Sequence, residues 1–319
     1  MIDILALGEC LIDFTTVSKD ADGYPTMAAH PGGAPANFLA ALTKYGMSTA
    51  MLAKVGDDAF GHLLAGTLES AGISTKGLII DPKVFTTLAF VTLDETGDRN
   101  FSFARKPGAD TCISFEELDL NMIDECKVFH FGTLSLTNDP AKTATEKAVA
   151  YAKSKGKLIT FDPNLREPLW SDLENARKAI LWGAAQADVI KISLEEVEFA
   201  FGCGAEDGAE KLLKEYGLKL VFVTLGKNGC YFANKNGSGY VANYNDVATV
   251  DTTGAGDIFG GTAVYGVLTS GKAPEELLAD EVYKIVDFAC ASASLSTTNY
   301  GGIQSVPDRA QVEALIAGK

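Results

Sequence analysis

Asp251-Thr252-Thr253-Gly254-Ala255-Gly256-Asp257 is the stretch that decides how this sequence is interpreted. It follows the apolar segment Asn245–Val250, which we predict to be a strand, and it precedes Ile258–Leu268, which has a helical pattern. Backbone N–H groups in the first turn of a helix lack partners within the helix, and the helix dipole favours an anion there. The stretch therefore predicts an anion site with a carboxylate on the same turn.

Backbone donors beside a carboxylate suit phosphoryl transfer to a hydroxyl group. The amides of Gly254, Ala255 and Gly256 would hold the phosphate charge, and Asp257 would accept the proton as general base. Glycine permits a close approach of ligand to backbone that a side chain would block. The alternative from these residues alone is a glycine-rich turn in which Asp257 caps the helix.

Strand-like and helical segments alternate along the chain, as is typical of βαβ units with a mostly parallel sheet. The predicted strands are Val128–Gly132, Lys157–Asp162, Val189–Ile192 and Leu218–Leu225. The predicted helices include Ala141–Lys155 and Glu174–Ala184, and Gly229–Tyr244 has the pattern of a hairpin that turns at Asn236-Gly237. We predict one α/β domain over the 319 residues.

Two segments interrupt this alternation. Leu11–Ala29 is extended and irregular, and Thr86–Arg105 has the pattern of two strands around the turn Glu95-Thr96-Gly97-Asp98. Because neither segment brings a helix to cover it, both are expected to form a small sheet that stands off the main body. The alternative is an ordinary peripheral hairpin.

Composition excludes several classes of protein. A net charge of −15 argues against nucleic acid or an anionic membrane as a partner, since both attract basic surfaces. No apolar run approaches the roughly 20 residues of a membrane span, and the first residues lack a signal peptide's basic start. The six cysteines are scattered without a C-x-x-C pair, which indicates thiols in a reducing cytoplasm, and His130 is predicted to be a packed residue.

A second glycine-rich block, Gly32-Gly33-Ala34-Pro35-Ala36-Asn37, precedes the helical Phe38–Tyr45. Together with residues 251–257 it resembles the motifs of the ribokinase-like (PfkB) sugar kinases, and the resemblance runs from about residue 3 to residue 307. Three further segments occur between them in the family's order: Asp162–Arg166, Lys191–Glu196 and Thr224–Gly229. Within the family the sequence is most similar to the sequences of fructokinases, especially at Leu88–Asp94 and Phe129–Leu136.

The resemblance implies a ribokinase-like α/β fold in which residues 11–29 and 86–105 form a β-sheet lid over the sugar. It implies ATP, Mg²⁺ and K⁺ as cofactors and a small sugar as substrate, with D-fructose converted to fructose 6-phosphate as the first expectation. Kinases of 2-keto-3-deoxygluconate, ribose or aminoimidazole riboside are alternatives, as is a non-catalytic relative that senses sugar or binds a partner. An apolar lid face would also favour a homodimer formed through the lids.

The same resemblance assigns sugar contacts. Asn37 and Gly33 would contact hydroxyl groups, although without the resemblance this block is equally a loop in which Asn37 caps a helix. Asp13 stands where the family places a carboxylate that accepts from two hydroxyls, and its alternative is a turn residue at a strand end. The full predicted set is Asp13, Gly32, Gly33, Asn37, Phe101, Arg105, Arg166 and Asp257.

Further positions follow for the nucleotide and the metals. The predicted nucleotide contacts are Ser193, Thr224, Gly226, Gly229 and Asn299. Glu196 would approach Mg²⁺ through water, since Mg²⁺ keeps several waters and needs few protein ligands; its alternative is an ordinary acidic first helical turn. The predicted oxygen donors to K⁺ are Asp251, Thr253, Gly301 and Ser305.

Three departures bear on the function. Fructokinases commonly have an aromatic residue where this chain has Ala104, and the family has asparagine where it has Ser193; the first leaves the identity of the sugar open. A nicotinamide-dependent oxidoreductase requires G-x-G-x-x-G directly after the first strand. Gly8–Asp13 lacks these glycines, which rejects that class.

Overall fold

A nine-stranded sheet forms the centre of the molecule in the computed structural model, which describes residues 1–93 and 99–318, with backbone alone at 93 and 99–101. The strand order is β13-β12-β11-β10-β9-β8-β1-β4-β5. All pairs are parallel except β11 with β12 and β12 with β13. The strands are β1 Ile2–Leu7, β4 Thr49–Gly56, β5 Ser74–Asp81, β8 Cys126–Gly132, β9 Leu158–Asp162, β10 Val189–Ser193, β11 Leu220–Thr224, β12 Cys230–Asn234 and β13 Gly237–Val241.

Helices flank the sheet because most of its strands are buried on both faces, which requires cover on both sides. The α-helices are α1 Ala34–Lys44, α2 Ala59–Ser70, α3 Leu120–Glu125, α4 Ala141–Ser154, α5 Leu173–Gln186, α6 Leu194–Phe201, α7 Ala205–Glu215, α8 Ala255–Thr269, α9 Ala279–Ser296 and α10 Arg309–Ala317. Short 3₁₀ turns, including Leu134–Leu136 and Glu167–Leu169, connect some of them.

The predicted small sheet is present. Strands β2 Leu11–Lys19, β3 Pro25–Gly32, β6 Leu88–Leu93 and β7 Arg99–Ala104 form a separate four-stranded sheet in the order β3-β2-β6-β7. The two stretches that interrupt the βαβ pattern therefore pair with each other, through a parallel β2–β6 contact. The predicted turn Glu95–Asp98 lies outside the described residues.

The structure confirms, to within a few residues, the β12–β13 hairpin, the strands predicted at 128–132, 157–162, 189–192 and 218–225, and the helices predicted at 141–155, 174–184 and 258–268. His130 is buried and stacks on Phe38 with ring centroids 3.7 Å apart, so the prediction of a packed histidine is confirmed as well. Burial lowers the pKa of His130 to about 3, which keeps its ring neutral.

One predicted strand is wrong. Asn245–Val250 contains no strand, because its backbone bonds to the end of α9 instead of to a sheet edge: the Val250 N–H donates to Thr297 O over 2.8 Å. Val250 is 51% exposed, so the apolar residues of this segment do not all face a core. The segment instead forms part of the wall of a cavity.

Candidate active site

A cavity of about 210 Å³ opens where the small sheet meets the carboxyl edge of the large one. Several parts of the chain that lie far apart in the sequence meet there, including the segment after β1, the start of α1, the loop after β9 and the start of α8. Its lining residues are Glu9, Leu11, Asp13, Gly33, Ala34, Asn37, Phe103, Leu134, Asn164, Arg166, Lys191, Thr252, Thr253, Gly254, Gly256 and Asp257.

Two of the predicted motifs are joined inside this cavity. Asn37, in the first turns of α1, donates from Nδ2 to Asp257 Oδ2 over 2.9 Å, across 220 residues of sequence. Both side chains are buried, and the Asn37 Oδ1 atom has no hydrogen-bond partner among the described residues. The bond fixes the orientation of the Asp257 carboxylate and leaves one amide oxygen as an acceptor for a ligand hydroxyl.

Helix α8 begins in the left-handed region at Gly254, where φ is 76°. A Cβ atom there would lie 2.8 Å from Gly302 Cα, so glycine is required both for the backbone angle and for the close approach. The Ala255 N–H donates to Thr252 O over 3.3 Å, a long bond within the turn. The N-terminal amides of α8 thus stand beside Asp257, as an anion site requires.

A buried ion pair that the sequence reasoning did not assign to the site lies next to this turn. Lys191 Nζ contacts both carboxylate oxygens of Asp162, at 3.1 and 3.0 Å. A Cβ atom on Gly256 would lie 3.1 Å from the same Nζ, which places the ammonium group against the start of α8. Asp162 ends β9 and Lys191 lies within the adjacent parallel strand β10, and this position near the carboxyl edge of the sheet is the signal that could have found them.

The electrostatics of the site follow from this crowding. Burial raises the pKa of Asp257, while Lys191, the Asn37 hydrogen bond and Arg166 act in the opposite direction. Burial opposes the charge on Lys191, but Asp162, Glu196 and Asp257 outweigh it and raise the pKa of that amine. Lys191 therefore stays charged and supports the ionised form of each neighbouring carboxylate.

A second cavity, of about 400 Å³, lies on the other side of the same turn. It includes Thr224, Gly226 and Gly229, three of the predicted nucleotide contacts, and it shares Thr252 and Gly256 with the first cavity. Sequence reasoning missed most of its wall, which comes from the irregular segment after β13 and from α9. These missed residues are Asn243, Tyr244, Asn245, Val247, Thr249, Phe259, Cys290, Ala293, Ser294 and Thr297.

Some predicted contacts lie outside the second cavity or outside the described residues, and they stay predictions. Asn299 is exposed and lies outside the lining of the second cavity, because the end of α9 presents Ser294 and Thr297 there instead. Ser193 also lies outside it, because its hydroxyl caps α6 by accepting from the Glu196 N–H. The Phe101 side chain is outside the described residues.

Arg105 is bound to the body of the protein. Its guanidinium is buried in an ion pair with Asp110, at 2.6 Å, and it also donates to Leu134 O and Thr137 Oγ1. These bonds fix the end of β7. Arg105 lies outside the lining of the first cavity, and its contact with the sugar stays a prediction. Arg166 does line that cavity.

Ala104, where fructokinases commonly have an aromatic residue, is the last residue of β7. It lines a separate groove of about 760 Å³, beside Phe60 and the 80% exposed Phe85, and not the first cavity. Only its neighbour Phe103 reaches both spaces. A change at this position therefore alters the groove between β7 and α2 before it alters the first cavity.

The predicted cation ligands converge on one carboxylate. Asp251 is buried, accepts from the Thr253 N–H and hydroxyl through Oδ1, and accepts from the Gly301 N–H through Oδ2 at 2.9 Å. The Ser305 hydroxyl donates to the carbonyl oxygen of Gly302, the residue after Gly301. A buried carboxylate with carbonyls and hydroxyls around it fits a hard monovalent cation.

Glu196 is more constrained than predicted. Its Oε1 accepts from the Leu165 N–H at 2.7 Å, and its Oε2 accepts from the Ser193 N–H at 2.8 Å. Each carboxylate oxygen retains a further lone pair, which fits a contact to Mg²⁺ through water but not a dedicated metal cage. Among the described residues no group of three or more His, Cys, Asp or Glu side chains could hold a metal ion.

Glu9 closes the inner end of the first cavity and was not predicted. Only 3% of it is exposed, and its Oε1 accepts from the Ala34 N–H at 3.0 Å. Burial raises the pKa of Glu9 to about 8, with nearby Asp110 adding to the effect. At neutral pH the carboxyl group is therefore mostly protonated and can donate as well as accept a hydrogen bond.

Glu9→Gln is expected to change how stability depends on pH. A carboxyl group with a raised folded-state pKa stabilises the fold fully below its unfolded pKa and loses this contribution as pH rises to about 8. Glutamine keeps the acceptor and never ionises, so the variant should match the parent at pH 5 and exceed it at pH 9. Each 1 kcal/mol regained would raise Tm by roughly 2–4 °C. Melting curves at both pH values decide this, and parallel losses in the two proteins would contradict it.

Gly33→Ala is expected to distort the start of α1 and so weaken binding of the acceptor in the first cavity. Gly33 has a φ of 113°, and a Cβ atom there would lie 2.4 Å from Glu9 O. The strained backbone would cost on the order of 1–3 kcal/mol and displace the start of α1 that carries Asn37. We expect a lower Tm and a KM for the acceptor raised at least tenfold. The matched control is Gly46→Ala, which has a similar φ of 93° but open space around it; equal effects on KM would contradict the interpretation.

Comparison with known proteins agrees with this geometry. The model of the pfkB family of carbohydrate kinases matches residues 1–309. The chain belongs to the pfkB family of carbohydrate kinases. It is a phosphotransferase that acts on a sugar hydroxyl with ATP, and its fold is ribokinase-like, as the sequence predicted.

Relatives and solved structures extend over the whole pfkB chain. Fructokinase-2 of Solanum habrochaites is 41% identical over 322 residues, which cover 99% of this chain and 96% of the relative. The structure of a fructokinase with bound ATP from Xylella fastidiosa has a TM-score of 0.89 at 28% identity, covering 99% and 98% of the two chains. That of a fructokinase double mutant from Vibrio cholerae O395 with fructose, ADP and potassium ion has a TM-score of 0.87 at 30% identity, covering 99% and 98%.

The pfkB chain has no helix among its described residues that is long and apolar enough to cross a membrane.

Proposed function

We propose that this carbohydrate kinase is a fructokinase that transfers the γ-phosphate of ATP to the primary 6-hydroxyl of D-fructose. The observation that carries the proposal is the shared wall of the two cavities. Thr252 and Gly256 line both of them, and Asp257 lies on the side of the smaller one. A sugar in the first cavity and a nucleotide in the second would meet at the start of α8. The fructokinase names of relatives about 40% identical support fructose as the sugar.

The first cavity would hold the sugar through polar groups on opposite walls. Asp13 and Asn37 accept from hydroxyl groups, and Arg166 donates to them from the loop after β9. Asn37 also keeps Asp257 turned toward the cavity through its 2.9 Å bond. The acceptor hydroxyl is thus placed against the carboxylate that removes its proton.

Charge at the transferring group would be met by the chain's own donors. The amides of Gly254 and Gly256 face developing negative charge at the start of α8, and Lys191 adds a full positive charge beside Gly256. Lys191 also keeps Asp162 and Asp257 from repelling the approaching phosphate. Bound Mg²⁺ would supply charge neutralisation between the phosphates, with Glu196 oriented to contact one of its waters.

Asp251 would hold K⁺ beneath the turn, together with oxygens of Thr253 and the residues from Gly301 to Ser305. A cation there would strengthen the positive field of the α8 amides. The four-stranded sheet would act as the lid over the sugar, and a homodimer through this sheet remains a prediction, as does a single-domain organisation. We also retain a cytoplasmic location as a prediction.

Product formation with different acceptors tests the proposal. ADP release would be measured with Mg²⁺, ATP and K⁺ for fructose, ribose, 2-keto-3-deoxygluconate and aminoimidazole riboside. We expect kcat/KM for fructose to exceed the others by at least tenfold. A preference for another sugar would overturn the substrate while keeping the reaction, and ADP release that needs no sugar would overturn the proposed acceptor chemistry altogether.

A further inference from the structure

A third cavity, of about 310 Å³, lies behind the sugar site and takes no part in the proposed reaction. It is formed by the 3₁₀ turn Leu134–Leu136, the start of α4, the segment after Glu167–Leu169 and one face of α5. Its lining residues are Leu136, Thr137, Lys142, Glu146, Trp170, Ser171, Asn175, Lys178, Ala179 and Trp182.

The walls of this cavity combine aromatic surface with positive charge. Both tryptophans of the protein, Trp170 and Trp182, line it. Two lysines, Lys142 and Lys178, line the cavity together with a single carboxylate, Glu146. One oxygen of Glu146 is 3.8 Å from Lys142 Nζ. The local balance is positive in a protein with a net charge of −15, which makes this cavity a favourable place for a small anion.

One polar atom in the wall lacks a partner. The indole Nε1 of Trp170 is buried and has no hydrogen-bond acceptor within the described part of the chain. A buried donor without a partner costs free energy that a bound acceptor would recover. An acceptor oxygen on a ligand in this cavity would satisfy that donor.

The size and lining narrow the class of ligand. A volume of about 310 Å³ is at the small end of ligand sites, enough for one ring with a charged group and not for a nucleotide. Tryptophan rings offer apolar faces to a sugar ring, while lysines bind phosphate as point charges. We propose that this cavity is a second, regulatory site that binds a phosphorylated monosaccharide.

The cavity is connected to the sugar site through two short segments. Leu134 lines the sugar cavity, whereas Leu136 in the same 3₁₀ turn lines the third. Arg166 lines the sugar cavity, and Trp170 follows it directly after the turn Glu167–Leu169. A ligand that fixes Trp170 therefore biases the position of Arg166, so that binding would change the KM for the sugar. Only this regulatory consequence rests on the proposed function.

Tryptophan fluorescence tests the binding directly, because no other tryptophan contributes to the signal. Fructose 6-phosphate would be titrated into the full-length protein, with fructose and inorganic phosphate as separate probes. We expect a saturable change with fructose 6-phosphate, and binding at least tenfold weaker for each of the other two. Equal binding of inorganic phosphate would overturn the phosphorylated sugar in favour of a simple anion.

Matched variants separate this site from the sugar site, where the same compound would bind as product. Lys178→Ala removes an exposed cation of α5 and should weaken the fluorescence titration at least tenfold, whereas Lys147→Ala, outside the cavity on α4, should not change it. Trp170→Phe keeps an aromatic ring but removes the donor, and should weaken binding as followed by Trp182.

Steady-state kinetics then test regulation. Fructose 6-phosphate should change the KM for the sugar in the parent and in Lys147→Ala. The part of this change that exceeds competition by the product at the sugar site should be lost in Lys178→Ala. Basal turnover should be unchanged in all three. A fluorescence titration that Lys178→Ala leaves intact would overturn the second site, whatever sugar the kinase phosphorylates. Conversely, loss of the titration only in Lys178→Ala would support the site even if fructose proved to be the wrong substrate.

Discussion

Asp257→Asn should reduce kcat by about 10²–10⁴-fold while the protein stays folded. Asparagine has the same shape and can still bond to Asn37, but it cannot accept the proton of the sugar hydroxyl. Because burial raises the pKa of Asp257, removing its charge relieves an unfavourable desolvation and should not lower the stability. Turnover measured at saturating substrates, together with a melting curve, checks both parts.

The KM for ATP is the control for this variant, since the second cavity is lined by other residues. It should change less than threefold. The parent should also lose kcat/KM toward acid pH, as a base must be ionised, with a midpoint above the roughly 3.9 of an ordinary aspartate. Near-normal turnover in Asp257→Asn would contradict the assignment of Asp257 as the general base.

Lys191→Met is expected to have the largest effect on stability. The side chains of Lys191 and Asp162 are 11% and 7% exposed, and Lys191 offsets the charges of three buried carboxylates. Removing one partner of a buried pair leaves an uncompensated charge, which costs about 3–5 kcal/mol. Urea unfolding should show a loss of this size, and turnover should fall as well.

A double variant separates the two roles of Lys191. Adding Asp162→Asn to Lys191→Met removes the nearest of the three carboxylate charges that Lys191 offsets and should restore part of the free energy of unfolding. It should not restore turnover, because the positive charge beside Gly256 is still missing. Recovery of activity along with stability would show that Lys191 acts on the fold alone.

Most of the architecture could be predicted because the spacing of hydrophobic residues and the positions of glycines determine local secondary structure. The alternation of segments indicated the parallel sheet, and the lack of helices around residues 11–29 and 86–105 indicated a second sheet. Asn245–Val250 failed for a tertiary reason. Its β-branched residues fit a strand, but the Val250 N–H donates to the Thr297 carbonyl at the end of α9 instead of to a sheet edge.

The site could be predicted only as far as its motifs extend. Glycine-rich turns and the carboxylates beside them carry their chemistry in adjacent residues, so Gly254 and Asp257 were accessible from the sequence. The contact of Arg105 with the sugar stays a prediction, and its ion pair with Asp110 could not be foreseen because no spacing in the sequence reveals it. Lys191 and Glu9 were missed because a buried titratable group is recognised by its surroundings and not by its neighbours in the chain.

The hydrogen bond between Asn37 and Asp257 also has a consequence for how the protein acquires its activity. It joins groups 220 residues apart, so loop closure over most of the chain must precede it. Contacts of such long range form slowly and late in folding. A nascent chain that has not yet released residue 257 from the ribosome holds neither the base nor the phosphate-binding turn. The enzyme therefore cannot hydrolyse or transfer phosphate during most of its own synthesis, and its activity first appears when the two ends of the site meet.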